Sequence, residues 1–266
     1  NAITIRSLNG PTNTSLDAQN VALRRILYVS NALAKVSGIT LKRGSYNTWT
    51  GINGPGALYL VAGTVSNCIV TSNNAYYYGG IYMTGGVLVD CLIHTNTAGA
   101  SSTGNGGGLG LAGGEVISCI ISNNIASING GGVSISGGRM TDCQIMRNTQ
   151  GGTYTPVDGG GVYMTGGTLE RCVVKANNAG GFQRGGGVFM SGGSLLNCLV
   201  VNNTSLSQGG GIFMTNSAAR VIHTTVYGNR TASRGHGIHL AGGAVSNSLV
   251  SGNGTAYQAL GENVAM

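Results

Sequence analysis

Apolar residues in this chain recur with two superimposed periods. Within short runs they alternate. In "GVYM" Val162 and Met164 take one side and Tyr163 the other, and in "CVV" Cys172 and Val174 flank Val173. Alternation of this kind is a strand signal, and the runs are too short and too glycine-punctuated for helices. On a longer scale whole phrases return: "GGGVYMTGGTLERCVVKANN" (Gly159 to Asn178) comes back as "GGGVFMSGGSLLNCLVVNN" (Gly185 to Asn203), and more loosely six other times.

The copies align on cysteine. Cys68, Cys91, Cys119, Cys143, Cys172 and Cys198 share one slot, and Thr224 and Ser248 continue it, at spacings of 23, 28, 24, 29, 26, 26 and 24 residues. Five positions after each slot stands asparagine without exception: Asn73, Asn96, Asn124, Asn148, Asn177, Asn203, Asn229 and Asn253. Two positions after it stands a β-branched residue, from Val70 to Val250, and three before it an apolar one, from Val65 to Val245. A fixed period in the twenties marks a solenoid. Paired glycines such as Gly166–Gly167 and Gly192–Gly193 supply turns that need positive φ.

Short strands, glycine turns and no helix predict an all-β chain, a right-handed parallel β-helix of about ten coils spaced by about 4.8 Å. One coil cannot bury its own apolar side chains, so each must set like over like against its neighbours. The eight asparagines then form a ladder that passes amide hydrogen bonds from coil to coil, and asparagine also tolerates the left-handed corner. The predicted domain is 1–253. Residues 1–56 form irregular opening coils, with Leu27, Val29, Val36, Ile39 and Leu41 inward and Gly44 in the asparagine slot. Residues 57–253 form eight regular coils, and 254–266 a tail.

"ITIRSLNGP" near the start, followed by repeated Gly-Gly-(Gly/Ile)-(Ile/Leu/Val) and an xxxN element, resembles the β-helix repeats of bacterial surface and secreted proteins. The broad group is the pectate-lyase-like superfamily, and the nearest named pattern is that of the polymorphic outer membrane proteins, whose repeats carry Phe where this chain has Cys. The resemblance covers about Ile3 to Asn253. It implies a β-helix fold and an extracellular or cell-surface setting. Adhesive or structural roles predominate in such families, and a minority are polysaccharide lyases or hydrolases.

Composition narrows the classes. The chain of 266 residues has 49 glycines, 41% hydrophobic and only 8% charged residues, a balance opposed to disorder. The glycines lack the three-residue period of collagen, and no apolar run approaches the length of a membrane span. Net charge is +7, with six Lys/Arg and one acid in 1–43, no Lys/Arg in 44–138, and eight Lys/Arg with three acids in 139–234. Bases scattered among glycines in this way argue against a nucleic-acid partner. A start at Asn1 without methionine or apolar leader fits a removed signal peptide or a start within a longer protein.

Candidate chemistry is sparse. The triple-glycine runs precede strands, not helices, so they read as turns and not as phosphate cradles. Cysteines 23 to 29 residues apart lack zinc spacing, and side chains in a parallel in-register column point the same way, which favours buried free thiols over disulfides. No metal or other cofactor is expected. Of the seven acids, Asp90 and Asp142 share the column before the cysteine slot, two coils or about 10 Å apart, beyond the usual separation of paired glycosidase carboxyls. Glu170–Arg171 and Asp142–Arg139 read as solvated ion pairs. His236 stands in "GHG", where other coils carry turn glycine.

Two outward columns carry more information. Ile69, Leu92, Ile120, Val173, Leu199 and Leu249, interrupted by Gln144 and Thr225, form an apolar stripe that a sister chain or this chain's own tail would cover. Tyr59, Tyr82, Tyr163, Phe189, Phe213 and His239, interrupted by Gly110 and Ser134, form either an aromatic ladder or a platform for a sugar or partner. Inserts "TAGASSTGN" and "TQGGTYTPVD" leave one edge, near Tyr76, Tyr77, Tyr78 and Tyr154. The sequence shows no capping helix. The expected function is a non-enzymatic extracellular structural protein that self-associates by end stacking and lateral contacts, into fibres. The alternatives are a fragment of a bacterial surface adhesin that meets carbohydrate or a host surface, and a polysaccharide lyase or hydrolase.

Overall fold

The computed structural model describes residues 3–47, 54–99, 104–152, 157–180 and 183–254, and the backbone of 264–265. A regular coil holds four short strands, as in Val162–Met164, Thr168–Glu170, Val173–Lys175 and Asn178–Ala179. Each pairs in parallel with its equivalent one coil on, with no register slip: Val162 faces Val188, Leu169 faces Leu195, Val174 faces Val200 and Ala179 faces Ser205. The chain is therefore a parallel β-helix, and no helix occurs among the described residues. The third strands build a ten-stranded sheet from Ser15–Asp17 to Leu249–Ser251, and the fourth strands an eight-stranded one from Ser45–Tyr46 to Arg230–Thr231. Eight full coils thus lie between partial ones, a rod of about 50 Å.

Alternation puts every second residue inside. Leu58, Ile81, Leu109, Val133, Val162, Val188, Ile212 and Ile238 form one inward file, and Val65, Leu88, Val116, Met140, Leu169, Leu195 and Val221 another, all fully buried. The Gly-Gly turns have a second glycine at positive φ, such as Gly167 at 73°. In two coils the turn is ironed out: Ile81–Val89 and Leu109–Ile117 run as single nine-residue strands, with a register shift at the glycines.

The tight corners differ from the expectation in one respect. The ladder asparagines are not the left-handed residues. The residue before each asparagine is, as in Thr95 (56°), Asn123 (54°), Arg147 (54°) and Ala176 (53°), and so is the residue before each cysteine slot, as in Asp90 (54°) and Arg171 (50°). Each such corner costs an L-residue roughly 1 kcal/mol. It turns the next side chain inward, where Asn or Cys bonds to the neighbouring coils.

Candidate functional site

The two invariant columns are bonding devices of the interior. Each ladder amide donates through Nδ2 to the Oδ1 of the next, in one unbroken run from Asn73 to Asn253, at 2.9–3.1 Å. Each Oδ1 also accepts the backbone N–H of the preceding asparagine, as in Asn148 N–H to Asn177 at 2.9 Å. Each Nδ2 also donates to a carbonyl of the preceding coil, as Asn148 does to Ile121 at 3.0 Å. Gly44, in the same slot, donates its N–H to Asn73 Oδ1 at 2.8 Å.

The cysteine column works similarly with weaker bonds. The Cys91 N–H points at Cys119 Sγ, and the Cys119 N–H at Cys143 Sγ, both at 3.4 Å. Where the slot changes residue the bond persists: Cys198 N–H donates to Thr224 Oγ1 at 3.3 Å and Thr224 N–H to Ser248 Oγ at 3.1 Å. The slot therefore selects a γ-atom that accepts one hydrogen bond and donates another. All six thiols are unbridged and buried. The Cys119 thiol contact, then burial, pushes Cys143 up to about 12, and burial pushes Cys198 up to about 12. Cys68 moves the other way, drawn down to about 7 mainly because the Cys91 thiol donates to it. The thiolate is the reactive form. An aromatic disulfide reagent at pH 8 is therefore expected to titrate at most one thiol, Cys68, in the native chain and all six in urea. Fewer than six in urea without reductant would mean bridging instead.

The aromatic column divides into two blocks. Tyr28, Tyr59 and Tyr82 sit with ring centroids 5.3 Å apart, and Tyr78 stacks on Tyr82 at 4.4 Å. Tyr78 also occupies the gap at Gly110, where an added Cβ would lie 2.3 Å from its ring. Burial pushes its hydroxyl up to about 12. Beyond the break, Tyr163, Phe189, Phe213 and His239 stack at 4.8–5.7 Å. Here the outward expectation needs correction: Phe189 and Phe213 are buried, at 5% and 3% exposure. The Arg184 guanidinium lies over both rings at 5.2 and 4.8 Å and is held there by the buried Asp158, 2.7 Å from its Nη2. Tyr154 and residues 100–103 of the edge inserts lie outside the described residues.

The charged residues meet on the second-strand face. Glu115, Ile117, Arg139, Thr141, Asp142, Glu170 and Arg171 line a shallow cleft of about 330 Å³. Of the two pairs expected from sequence, Glu170–Arg171 forms and Asp142–Arg139 does not. Arg171 grips Asp142 with two bonds of 2.8 and 2.9 Å and reaches Glu170 at 2.6 Å, whereas Arg139 pairs with Glu170. The cause is register: Arg171 follows Asp142 one coil on in the same corner column, and Thr141 faces Glu170 across the sheet. Arg139 beside Glu170, and Arg171 beside Asp142, hold both carboxyls below their ordinary range. Such carboxylates stay ionised and are poorly matched to proton transfer near neutrality. Asp90, which shares the corner column of Asp142 two coils away, is exposed at its own corner. His236 is a buried turn brace whose Nδ1 accepts the Thr231 N–H at 3.1 Å. Among the described residues no group of three or more His, Cys, Asp or Glu side chains is placed to hold a metal ion.

The third sheet carries the apolar stripe. Ile120, Leu199 and Leu249 are exposed, and Ile69, Leu92 and Val173 are half-buried. Gln144 and Thr225 interrupt the file, as Ile120↔Gln144 and Leu199↔Thr225 show.

No family profile matches the sequence, and no curated protein matches it. Among solved structures the chain is similar to that of pectate lyase Pel9A, at 12% identity and a TM-score of 0.48, over 92% of this chain and 69% of that one. At that identity the likeness is one of fold.

Proposed function

We propose that this chain is a non-enzymatic β-helical scaffold of the cell exterior that associates with copies of itself along its third-sheet face. The observation that carries the reading is the stripe from Ile69 to Leu249. It is a file of side chains on one parallel sheet, apolar at six of eight positions and free of charge throughout. Repeated apolar positions pointing to solvent are a contact surface in waiting. The asparagine and cysteine columns that repeat beside it are already engaged in holding one coil to the next. A second copy suits the stripe because both partners would present the same ~4.8 Å repeat, so side chains interdigitate along the length. As part of a longer surface protein the same face would serve lateral packing of adhesin stalks.

Sedimentation velocity on the chain across a concentration series is expected to show association, and Leu199→Asp is expected to weaken it at least tenfold without altering the circular dichroism. An apolar-to-charged change at the middle of a desolvated contact costs well over the 1.4 kcal/mol that tenfold requires. Association unchanged in Leu199→Asp would count against the stripe.

One observation favours a polysaccharide lyase or hydrolase as the second reading: the cleft that gathers Glu115, Asp142, Glu170, Arg139 and Arg171. Cleavage of a polyuronate that disappears in Asp142→Asn would displace the scaffold reading in its favour.

A further inference from the structure

Hydrogen bonding alone does not call for sulfur in the cysteine slot. Thr224 and Ser248 accept the same N–H, at 3.3 and 3.1 Å, and donate to the same carbonyl two residues back, at 3.1 and 2.7 Å. Yet six consecutive coils, from Cys68 to Cys198, carry a thiol there. What sulfur adds over oxygen is affinity for soft metal ions. The six side chains are placed alike. Each thiol donates to the carbonyl two residues before it at 3.2–3.3 Å, from Cys68 on Ser66 to Cys198 on Leu196. Successive sulfurs are therefore one coil step apart, about 4.8 Å. That is more than twice the length of an S–S bond, about 2.05 Å, and the column is unbridged. It matches two metal–thiolate bonds of about 2.3 Å laid end to end. Side chains stand roughly perpendicular to their sheet, so an ion midway between two sulfurs meets each Cβ–Sγ bond near a right angle.

We propose that the cysteine file binds soft two-coordinate metal ions of the mercury(II) type, each held in line between the sulfurs of adjacent coils. Charge decides the valence. The file lies in the hydrophobic core. A divalent ion with two thiolates is neutral, whereas a monovalent one leaves a net negative charge among apolar side chains, at a heavy cost. Zinc is poorly served: it takes four ligands, and among the described residues no three His, Cys, Asp or Glu side chains converge on one point. Binding breaks two S–H bonds and forms two sulfur–metal bonds. Both protons go to solvent, and no electron is transferred. The carbonyls that lose a thiol donor keep a backbone one, as Thr141 O does from the Ser118 N–H at 3.0 Å. Two ions on opposite sides of one sulfur would be collinear with it, which the bent bonding of sulfur rejects. Six sulfurs taken two at a time therefore give three places.

Adjacency supplies the test. Serine already fits the slot at Ser248, so serine variants keep the column's hydrogen bonds. Two triple variants each retain three of the six thiols. Cys143→Ser with Cys172→Ser and Cys198→Ser leaves Cys68, Cys91 and Cys119 on successive coils. Cys91→Ser with Cys143→Ser and Cys198→Ser leaves Cys68, Cys119 and Cys172, no two of them on neighbouring coils. Mercury(II) chloride is added to each folded chain until the ultraviolet thiolate-to-metal absorption is constant, and native mass spectrometry counts ions bound and protons lost. The unaltered chain is expected to take three ions with the loss of two protons for each. The first variant is expected to take one, held about 10²-fold more tightly than any on the second, the lower end of what a second tethered ligand adds. In urea, where any two thiols can meet, the two variants are expected to bind alike. Equal binding by the two folded variants, a difference that persists in urea, or no ion on the unaltered chain overturns the in-line site. So does loss of the native circular dichroism on loading, since the site exists only between stacked coils.

Discussion

Replacing Asn148 with alanine is expected to lower the unfolding free energy by about 4 kcal/mol, because two buried backbone groups are orphaned at once, each at roughly 1–3 kcal/mol. Asn148 Oδ1 accepts the Asn124 N–H at 3.0 Å, and its Nδ2 donates to the Ile121 carbonyl at 3.0 Å. Both groups lie in a core that water does not enter, and Asn148 itself is fully buried. The side-chain bonds to Asn124 and Asn177 go as well, although each of those amides keeps another partner. Asn148→Asp is sharper still. It sets a carboxyl oxygen against the Ile121 carbonyl and Asn177 Oδ1, and only a protonated carboxyl has a hydrogen to give. Its folded-state pKa is therefore raised above the unfolded value. The sign follows: its deficit is smallest at pH below the ordinary aspartate range and grows as pH rises through neutrality. Urea unfolding of both variants at pH 4 and 7 checks this. A loss below 1 kcal/mol for the alanine variant would show that the ladder is incidental to stability.

Gly131→Ala is expected to cost about 3 kcal/mol, the upper part of the usual range for overpacking a filled interior. Gly131 does not have positive φ, so the cost is not conformational. A Cβ there would lie 2.3 Å from the Gly160 carbonyl oxygen and 2.5 Å from the Thr149 carbonyl carbon, both backbone atoms of the next coil. Relief would require prising two coils apart where the Gly131 N–H bonds to Gly159 O at 3.1 Å. Gly151→Ala is the control. Its nearest neighbour, Ile125 Cγ2, is at an ordinary 3.5 Å and its φ is not positive, so it is expected to be neutral or stabilising by roughly 0.5 kcal/mol through the unfolded chain. Thermal unfolding of the pair decides whether close approach, and not glycine's freedom, accounts for the triple-glycine runs.

Much of the architecture is legible in the sequence because a solenoid writes its contacts as a period. Aligning on Cys68, Cys91 and Cys119 places Asn73, Asn96 and Asn124 in a file, and alternation around them puts Val70 inside and Ile69 outside. What escapes the period is whatever acts across it. The left-handed corners favour Asn and Asp, as at Asn67, Asp90, Asn123, Asp142 and Asn197, but Thr95, Arg147 and Ala176 share them, so the columns carry no invariant residue to align on. Adjacency in sequence finds Glu170–Arg171 but also suggests Asp142–Arg139, whereas stacking brings Arg171 over Asp142 and Arg139 to Glu170. The clamp of Asp158 and Arg184 on Phe189 and Phe213 joins two inserts of unequal length, and no repeat predicts it. One signal was available: Gly110 leaves a hole in the aromatic file, and the spare ring of Tyr78 lies one turn upstream to fill it.

The amide run from Asn73 to Asn253 has a further consequence. Every donor in it points the same way along the axis, so the rod has a chemical arrow, and its opposite tips are never equivalent. Since each link reaches only the adjacent storey, a whole storey can be added or lost without remaking any other joint. Length is then a quantity that evolution, or an engineer, can dial in steps of one turn while leaving the cross-section untouched.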